Sequence, residues 1–554
     1  MMHPRSWVRD ARLALSRLPI RMGRVPDAPA LGVRDPWPGD PARAARILKG
    51  ELVLAGSILR LERDVWADSS GPPAMRAHAH GFTWLRDLRA LGTDGARSRA
   101  RILVTDWIDT SPRDRIAERP DVAGARIAAW LGQYDFFVAS AEDEFRAAVM
   151  ARLVADARML AAAIPAEELD GRALTALKGV IAAAVALPTQ ANSLTRAMRL
   201  LPQEIARQVL PDGCHAERSP AAQLAALQDL TEIRALLQAA LAQPPAALAS
   251  AIERMAPALR ALRHGDGGLV LFNGAREESA ALVDLVLTQA GRGGRAPAGL
   301  TESGFQRLQA GRTVLVIDCG PPPPKGLDRF AHAGTLSMEI SIGRERLIVN
   351  CGAAPPSAAP AVDTRAGQSG AGQSGAGKGG ATLWHDAARA TAAHSTLVIA
   401  DTNSSELRPE GLGRVPIIVD AQRQEANGAH WLEASHDGYK PLNGCIHHRR
   451  LYVAESGEDI RGEDSIEVAE GAPPAFAVRF HLHPSVVASM QQDGRSVVLR
   501  LAGGSIWSVR AKGAELLLEE SVYLGLGEPR PTQQIVLAGG GETPKVEWAI
   551  TKVG

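Results

Sequence analysis

His332, Asn350 and His394 each stand beside a strand-like run, in AHAGTLSMEI, RERLIVNCG and TAAHSTLVIAD. Imidazoles gathered at sheet edges can hold a metal ion or move a proton, and an amide oxygen is a weaker metal donor than a carboxylate. The trio is a candidate site for a structural Zn2+, provided all three converge; otherwise each histidine is a satisfied sheet-edge residue. A second group lies in PDGCHAERSP, which carries Asp212, His215, Glu217, Arg218 and Ser219 between two strong helical patterns. Loops held by a rigid scaffold are where chemistry concentrates, so His215, Glu217 and Arg218 are candidates for proton transfer and carboxylate binding. Ser219 before Pro220 reads as the cap of the following helix. A third group, RHGDGGLVLFNG, offers His264 as a further acid/base candidate and Asp266 and Asn273 as substrate contacts. Its glycines would let a ligand approach the backbone, or would simply make a helix-to-helix turn.

Aromatic candidates are fewer. Trp84, Trp107 and Trp130 fall in early helical patterns, where a ring serves either as a sugar platform or as core. HDGYKPLNGCIHHRR supplies His436, Asp437, Tyr439, His447, His448 and Arg449. Trp84 and Tyr439 are the rings taken as candidate sugar contacts. Strand alternation puts His447 and His448 on opposite faces, and His481 and His483 of FHLHP on the same face.

These groups need two kinds of scaffold. From Pro41 to about Ala290, apolar residues recur at three and four positions, as in DPARAARILKGELVLAG and AAQLAALQDLTEIRALLQAALA. Repeated helical hairpins of that extent predict an α-solenoid or an α/α barrel. From about Leu300 the period becomes two, and short runs such as RTVLVIDCG, LSMEISIG and SVVLRLAGG alternate with Gly and Asp. That spacing predicts an antiparallel β-sandwich. The expected organisation is an extension over 1–40, a helical domain over 41–295 and a β domain over 296–554. A flexible Gly/Ser/Ala-rich insert is expected over 353–381, with GQSGA twice.

Composition bounds the rest. A chain of 554 residues exceeds one ordinary core. With 62 Lys+Arg against 61 Asp+Glu, no global attraction to nucleic acid or membrane is expected. Four cysteines without a CxxC pair read as buried thiols. The basic N-terminus lacks a continuous apolar stretch, so no secretory signal is legible, and no uncharged apolar run is long enough for a membrane span.

With GFTWLRDLRA, ARIAAWLGQYDFF, PDGCHAERSP, AHAGTLSMEI, LIVNCG, TAAHSTLVIAD and IRGEDSI in this order, the chain resembles the heparinase II/III-like family of bacterial polysaccharide lyases over most of its length. The resemblance implies an incomplete α/α toroid, a C-terminal antiparallel β-sandwich and an acidic, uronate-containing polysaccharide such as a glycosaminoglycan bound between them. It implies β-elimination: the uronate carboxylate is neutralised, a Tyr or His base takes the C5 proton, and an acid protonates the leaving oxygen. It implies a cell-envelope or periplasmic setting, whereas the missing signal leaves the cytoplasm open; oligomeric state is not legible. The family's metal places fall on His332, Asn350 and His394, with Asn replacing Asp. Three family acid/base places depart from the pattern: Ala222 stands for the catalytic Tyr, Gly171-Arg172 for Asn-His, and Phe330 for a His. Three readings follow. The chain is a lyase using His215, Glu217, Arg218 and His264 as substitutes, a lyase on an unusual envelope polymer, or a non-catalytic glycan-binding or polymer-handling protein on a lyase scaffold.

Overall fold

The computed structural model describes residues 25–62, 65–112, 114–165, 170–291, 294–356, 379–469, 471–541 and 543–553. Most of the expected 1–40 extension and of the 353–381 insert lies outside these residues. The described chain forms two compact units, one of 25–208 with 225–252, the other of 209–224 with 253–356 and 379–553. The second unit therefore takes in both polar loops of the helical region, 209–219 and 263–278.

The first unit is built on α1 (Pro41–Leu48), α2 (Pro73–Gly81), α3 (Leu85–Leu91), α4 (Asp94–Thr110), α5 (Pro120–Gly132), α6 (Asp143–Ala163), α7 (Ala173–Ala186) and α8 (Asn192–Gln208). Helices α9 (Pro220–Ala239) and α10 (Ala246–Ala261) follow. Local sequence sets the boundaries. Asp40 caps α1 by accepting from Ala42 N–H at 2.8 Å, with Pro41 at the first helical position. Thr93 caps α4 in the same way through Ala96 N–H at 3.2 Å. The α5–α7 crossing is set by two glycines: a Cβ on Gly179 would lie 2.3 Å from Gly124 Cα, so the helices meet backbone to backbone. Expected as part of a helix, ELVLAGSILR is instead a hairpin of β1 (Glu51–Leu54) and β2 (Ser57–Arg60). Ala55 and Gly56 both take positive φ at its turn, the geometry that matches strand twist, and helical periodicity does not register such a turn.

In the second unit, β3 (Phe305–Ala310), β4 (Thr313–Asp318), β5 (Met338–Ile342), β6 (Glu345–Val349) and β7 (Leu397–Ile399) come first. A small hairpin, β8 (Leu407–Arg408) and β9 (Gly411–Leu412), precedes β10 (Val419–Ala426), β11 (Ala429–His436), β12 (Cys445–Val453) and β13 (Asp459–Val468). Then come β14 (Phe476–Leu482), β15 (Val487–Met490), β16 (Ser496–Arg500), β17 (Ile506–Lys512), β18 (Glu515–Tyr523), β19 (Arg530–Gly539) and β20 (Lys545–Val553). One eight-stranded antiparallel sheet has the order β18-β19-β14-β6-β5-β4-β3, with β7 also paired to β14. The other runs β10-β11-β12-β13-β20-β17-β16-β15. Their inner faces share one core, in which Leu315, Ile340 and Phe480 of the first sheet join Leu451, Trp507 and Ile550 of the second. This is the expected sandwich. Among the described residues no helix is long and apolar enough to cross a membrane.

The sandwich interior is not wholly apolar. Asp464 on β13 accepts from Arg449 Nε at 2.7 Å, from Trp548 Nε1 at 2.9 Å, and lies 2.8 Å from His447 Nε2. Gly462 makes room for that indole, since a Cβ there would fall 2.1 Å from Trp548 Cζ2. His447 is buried and His448 half-exposed, as strand alternation predicts.

Candidate functional site

Most candidates from the sequence fall into one buried network in the sandwich unit. The 209–219 loop is folded by its own polar groups. Asp212 accepts from the N–H groups of Cys214, Glu302 and Ser303 at 2.7–3.0 Å. His215 N–H donates to the Gln223 side-chain oxygen, while its Nδ1 accepts from Glu217 N–H at 3.2 Å. Arg218, in the left-handed region at φ +52°, donates through Nε to Ser303 O at 2.8 Å and pairs with Asp318. Its guanidinium covers the Phe305 ring at 4.8 Å. The side chain is buried, with Nε and Nη2 committed to Ser303 and Asp318.

Asn273 links the loops. Its Nδ2 donates to Arg218 O at 2.9 Å and its Oδ1 accepts from His332 N–H at 3.1 Å. Next, His332 Nδ1 lies 3.0 Å from His394 Nε2, with the rings edge to face. On the other side of His394, Ser395 N–H donates to Asn350 Oδ1 at 2.9 Å. Asn350 N–H donates to Glu339 Oε1 at 2.8 Å, and Glu339 Oε2 meets His264 Nε2 at 2.7 Å. Arg218, His264, Asn273, His332, Asn350 and His394, far apart in sequence, thus form one connected chain of contacts with Asp318, Glu339 and Ser395. The network is sealed: the side chains of His264 and Glu339 are 0% exposed.

Burial decides the protonation of these imidazoles. It holds His394 down to about 4, holds His264 below the ordinary value despite the adjacent carboxylate, and drives His332 well down, with the neighbouring His394 adding to the effect. All three are neutral at pH 7.

In the metal-free arrangement the two imidazoles hydrogen-bond to each other. The Nδ1 of His394 donates to Ala390 O at 2.8 Å, so its Nε2 is the bare nitrogen and accepts the proton carried by His332 Nδ1. A metal between the rings would require both facing nitrogens bare. Ser395 N–H fixes the Asn350 amide with its oxygen engaged; the Nδ2 end, which repels a cation, is left without a partner. Among the described residues no three His, Cys, Asp or Glu side chains converge as ligands. The three expected metal positions come together as a hydrogen-bonded histidine pair with an amide strut beside it.

The remaining candidates separate. Trp84 is core, tilted against Phe82 at 5.0 Å with Nε1 on Ala79 O, and Tyr439 is buried with its OH on Leu397 O at 2.8 Å. Both are corrected from sugar contacts to packing residues, because each ring faces protein on all sides. Burial pushes the Tyr439 phenol well up. Asp266 lies on a partly exposed loop; burial pushes its carboxyl up, but Arg346 Nε at 2.8 Å and Gly268 N–H outweigh this and hold it down.

Sequence reasoning missed a neighbouring cluster. Glu277 accepts from Tyr523 OH, and the same oxygen lies 3.4 Å from His483 Nε2 and 3.7 Å from Arg346 Nη1. Its only sequence signal was His483 in FHLHP. Burial raises the Glu277 carboxyl, but the donors from His483 and Tyr523 and the Arg346 charge overcome that and bring it to about 2. Burial, reinforced by the Glu277 charge, pushes the Tyr523 phenol far up. Glu339 was legible in hindsight as the one charged residue inside the apolar run LSMEISI.

A helical region followed by an antiparallel sandwich of this topology defines a polysaccharide-lyase-like scaffold. Residues 96–291 match the heparinase II/III N-terminus and 292–549 the heparinase II/III-like C-terminal domain, and the chain belongs to that family. It is 32% identical over 562 residues to FtsZ-localized protein C of Caulobacter vibrioides, across 97% of this chain and 92% of the relative. The crystal structure of heparinase III has the same fold at 13% identity, with a TM-score of 0.71 over 99% of this chain and 89% of that one. Heparan sulfate lyase HepC from Pedobacter heparinus matches at 16% identity and TM-score 0.57, over 99% of this chain and 87% of that one.

Proposed function

We propose that this chain is a non-catalytic member of the heparinase II/III-like family, a scaffold protein that localises with FtsZ. One observation carries the reading: the residues that would move protons are built into the fold. β-Elimination needs a base that reaches the sugar and a group that neutralises the uronate carboxylate. His264 is enclosed against Glu339, Arg218 is consumed by Asp318 and Ser303, and Ala222 has no acid/base group. The alternative, buried Tyr523 with the partly exposed Glu277 and His483, pairs a phenol pushed up with a carboxylate pushed down, the wrong polarity for a phenolate base at neutral pH. The FtsZ-localized relative, similar along nearly the whole chain, supplies the direction of the non-catalytic role.

The experiment has two arms. Purified protein is incubated with heparan sulfate, polygalacturonate and alginate, and ultraviolet absorbance of the unsaturated uronyl product is followed. A fluorescent fusion is imaged beside FtsZ in cells. The expected result is no product and co-localisation. Turnover that survives repurification would overturn the non-catalytic reading and restore a lyase on an acidic polysaccharide. A diffuse fusion would remove the FtsZ role.

A further inference from the structure

We infer that the outer face of the β10-to-β15 sheet carries a docking row for an acidic segment of a partner protein. The register brings together residues that are scattered in sequence. Trp431 pairs with Tyr452, Tyr452 with Arg461, Arg461 with Ala549, and Ala549 with Arg510, across five adjacent strands. Paired residues share a face, so the four long side chains stand in one line, spanning roughly 19 Å at the usual strand spacing. The inner face of the same strands is the core of Leu432, Leu451 and Trp548, so this line faces outward.

Two features set the row apart from an ordinary solvated sheet. Trp431 is 40% exposed although the other ring pairs lie in buried or half-buried surroundings, and its ring sits 5.2 Å from that of Tyr452. The row also contains two arginines and no carboxylate. Arg461 is tied to Asp459 of its own strand, whereas Arg510 forms no ion pair with any described residue; the nearby Lys512 stands opposite Glu547. The adjacent row is neutralised internally, with Arg450 against Glu433 and Glu463, and Lys545 against Glu463 and Glu547. The surplus cation of the row is therefore Arg510, beyond an aromatic pair. Trp, Tyr and Arg are the residue types that dominate binding energy at protein interfaces, and the charge calls for an acidic complement.

This rests on the FtsZ-associated reading above, and FtsZ polymers are the probe. Full-length protein is co-sedimented with FtsZ at low and high salt, using wild type, Trp431→Ala and Arg510→Glu. Wild type is expected to co-sediment in a salt-sensitive manner, with each variant weakened about tenfold and unchanged in thermal melting. Arg510→Glu lies on an exposed position, so it reports even if Trp431→Ala loosens the hairpin. Undiminished co-sedimentation of both variants would overturn the docking row while leaving co-localisation in cells intact. So would salt-independent binding, or retention of the row on polygalacturonate in preference to FtsZ, which would make the occupant a glycan. Loss of cellular co-localisation by wild type is the separate failure of the functional reading.

Discussion

Removing the Glu339 carboxylate should unlock the buried network, and the cost follows from what it holds. Its two oxygens meet His264 Nε2 at 2.7 Å and Asn350 N–H at 2.8 Å. In Glu339→Ala both partners lose their acceptor where no water reaches, and each stranded polar group costs about 1–3 kcal/mol. The cavity left by the side chain adds to this, so a total of about 3–5 kcal/mol is expected, in line with breaking a buried pair. Glu339→Gln should be far milder. Its amide oxygen can accept from Asn350 N–H, while its NH2 group faces His264 Nε2, which can accept if the imidazole moves its proton to Nδ1. That nitrogen has no partner in the native network, so the tautomer change displaces no bond, and a cost of about 1 kcal/mol is expected. The measurement is urea unfolding followed by a signal from the sandwich unit, because two compact units need not unfold together. A Glu339→Ala cost below about 1 kcal/mol, or equal costs for the two variants, would refute the claim that the carboxylate is the hub.

Three further outcomes are expected. Acid should weaken the sandwich: His394 titrates near 4 when folded against an ordinary value of about 6.5, so the unfolded chain binds more protons as pH falls. Its contribution, about 3 kcal/mol, is fully present above pH 6.5 and is lost as pH falls toward 4; a flat urea midpoint across that window would contradict it. Elemental analysis of protein purified with added zinc should find far less than one ion per chain, and His394→Ala should not change that value; stoichiometric zinc would reinstate the ligand trio. Gly179→Ala should destabilise the helical unit by about 2 kcal/mol despite the better helix propensity of alanine, since the new methyl meets Gly124 backbone; a raised melting temperature would show that the helices can separate at no cost.

The broad architecture was legible because periodicity reports which face of an element is buried. Helical spacing before Ala290 and period two after Leu300 foretold the helical region and the sandwich. The β1–β2 hairpin escaped because ELVL and SILR are too short to outweigh the helical run around them. The candidate polar residues stand out in sequence too, since His, Asn and Arg beside apolar runs are conspicuous. Their roles were not legible. A buried histidine in a hydrogen-bonded pair and a metal-binding histidine have the same letter and the same neighbours in sequence. What only the structure supplies is their partners, such as the bonds from Ser395 N–H to Asn350 and from His394 Nδ1 to Ala390 O, between residues that local folding alone does not orient.

By itself, then, the sequence determined the family scaffold and the identity of most polar residues at its centre, because hydrophobic periodicity and residue type are local properties. Tertiary structure alone decided that these residues are enclosed and that His264, His332 and His394 are neutral, and that Trp431, Tyr452, Arg461 and Arg510 stand in one line. Exposure, hydrogen-bond partner and cross-strand register are properties of pairs of distant segments, and they exist only once those segments have met.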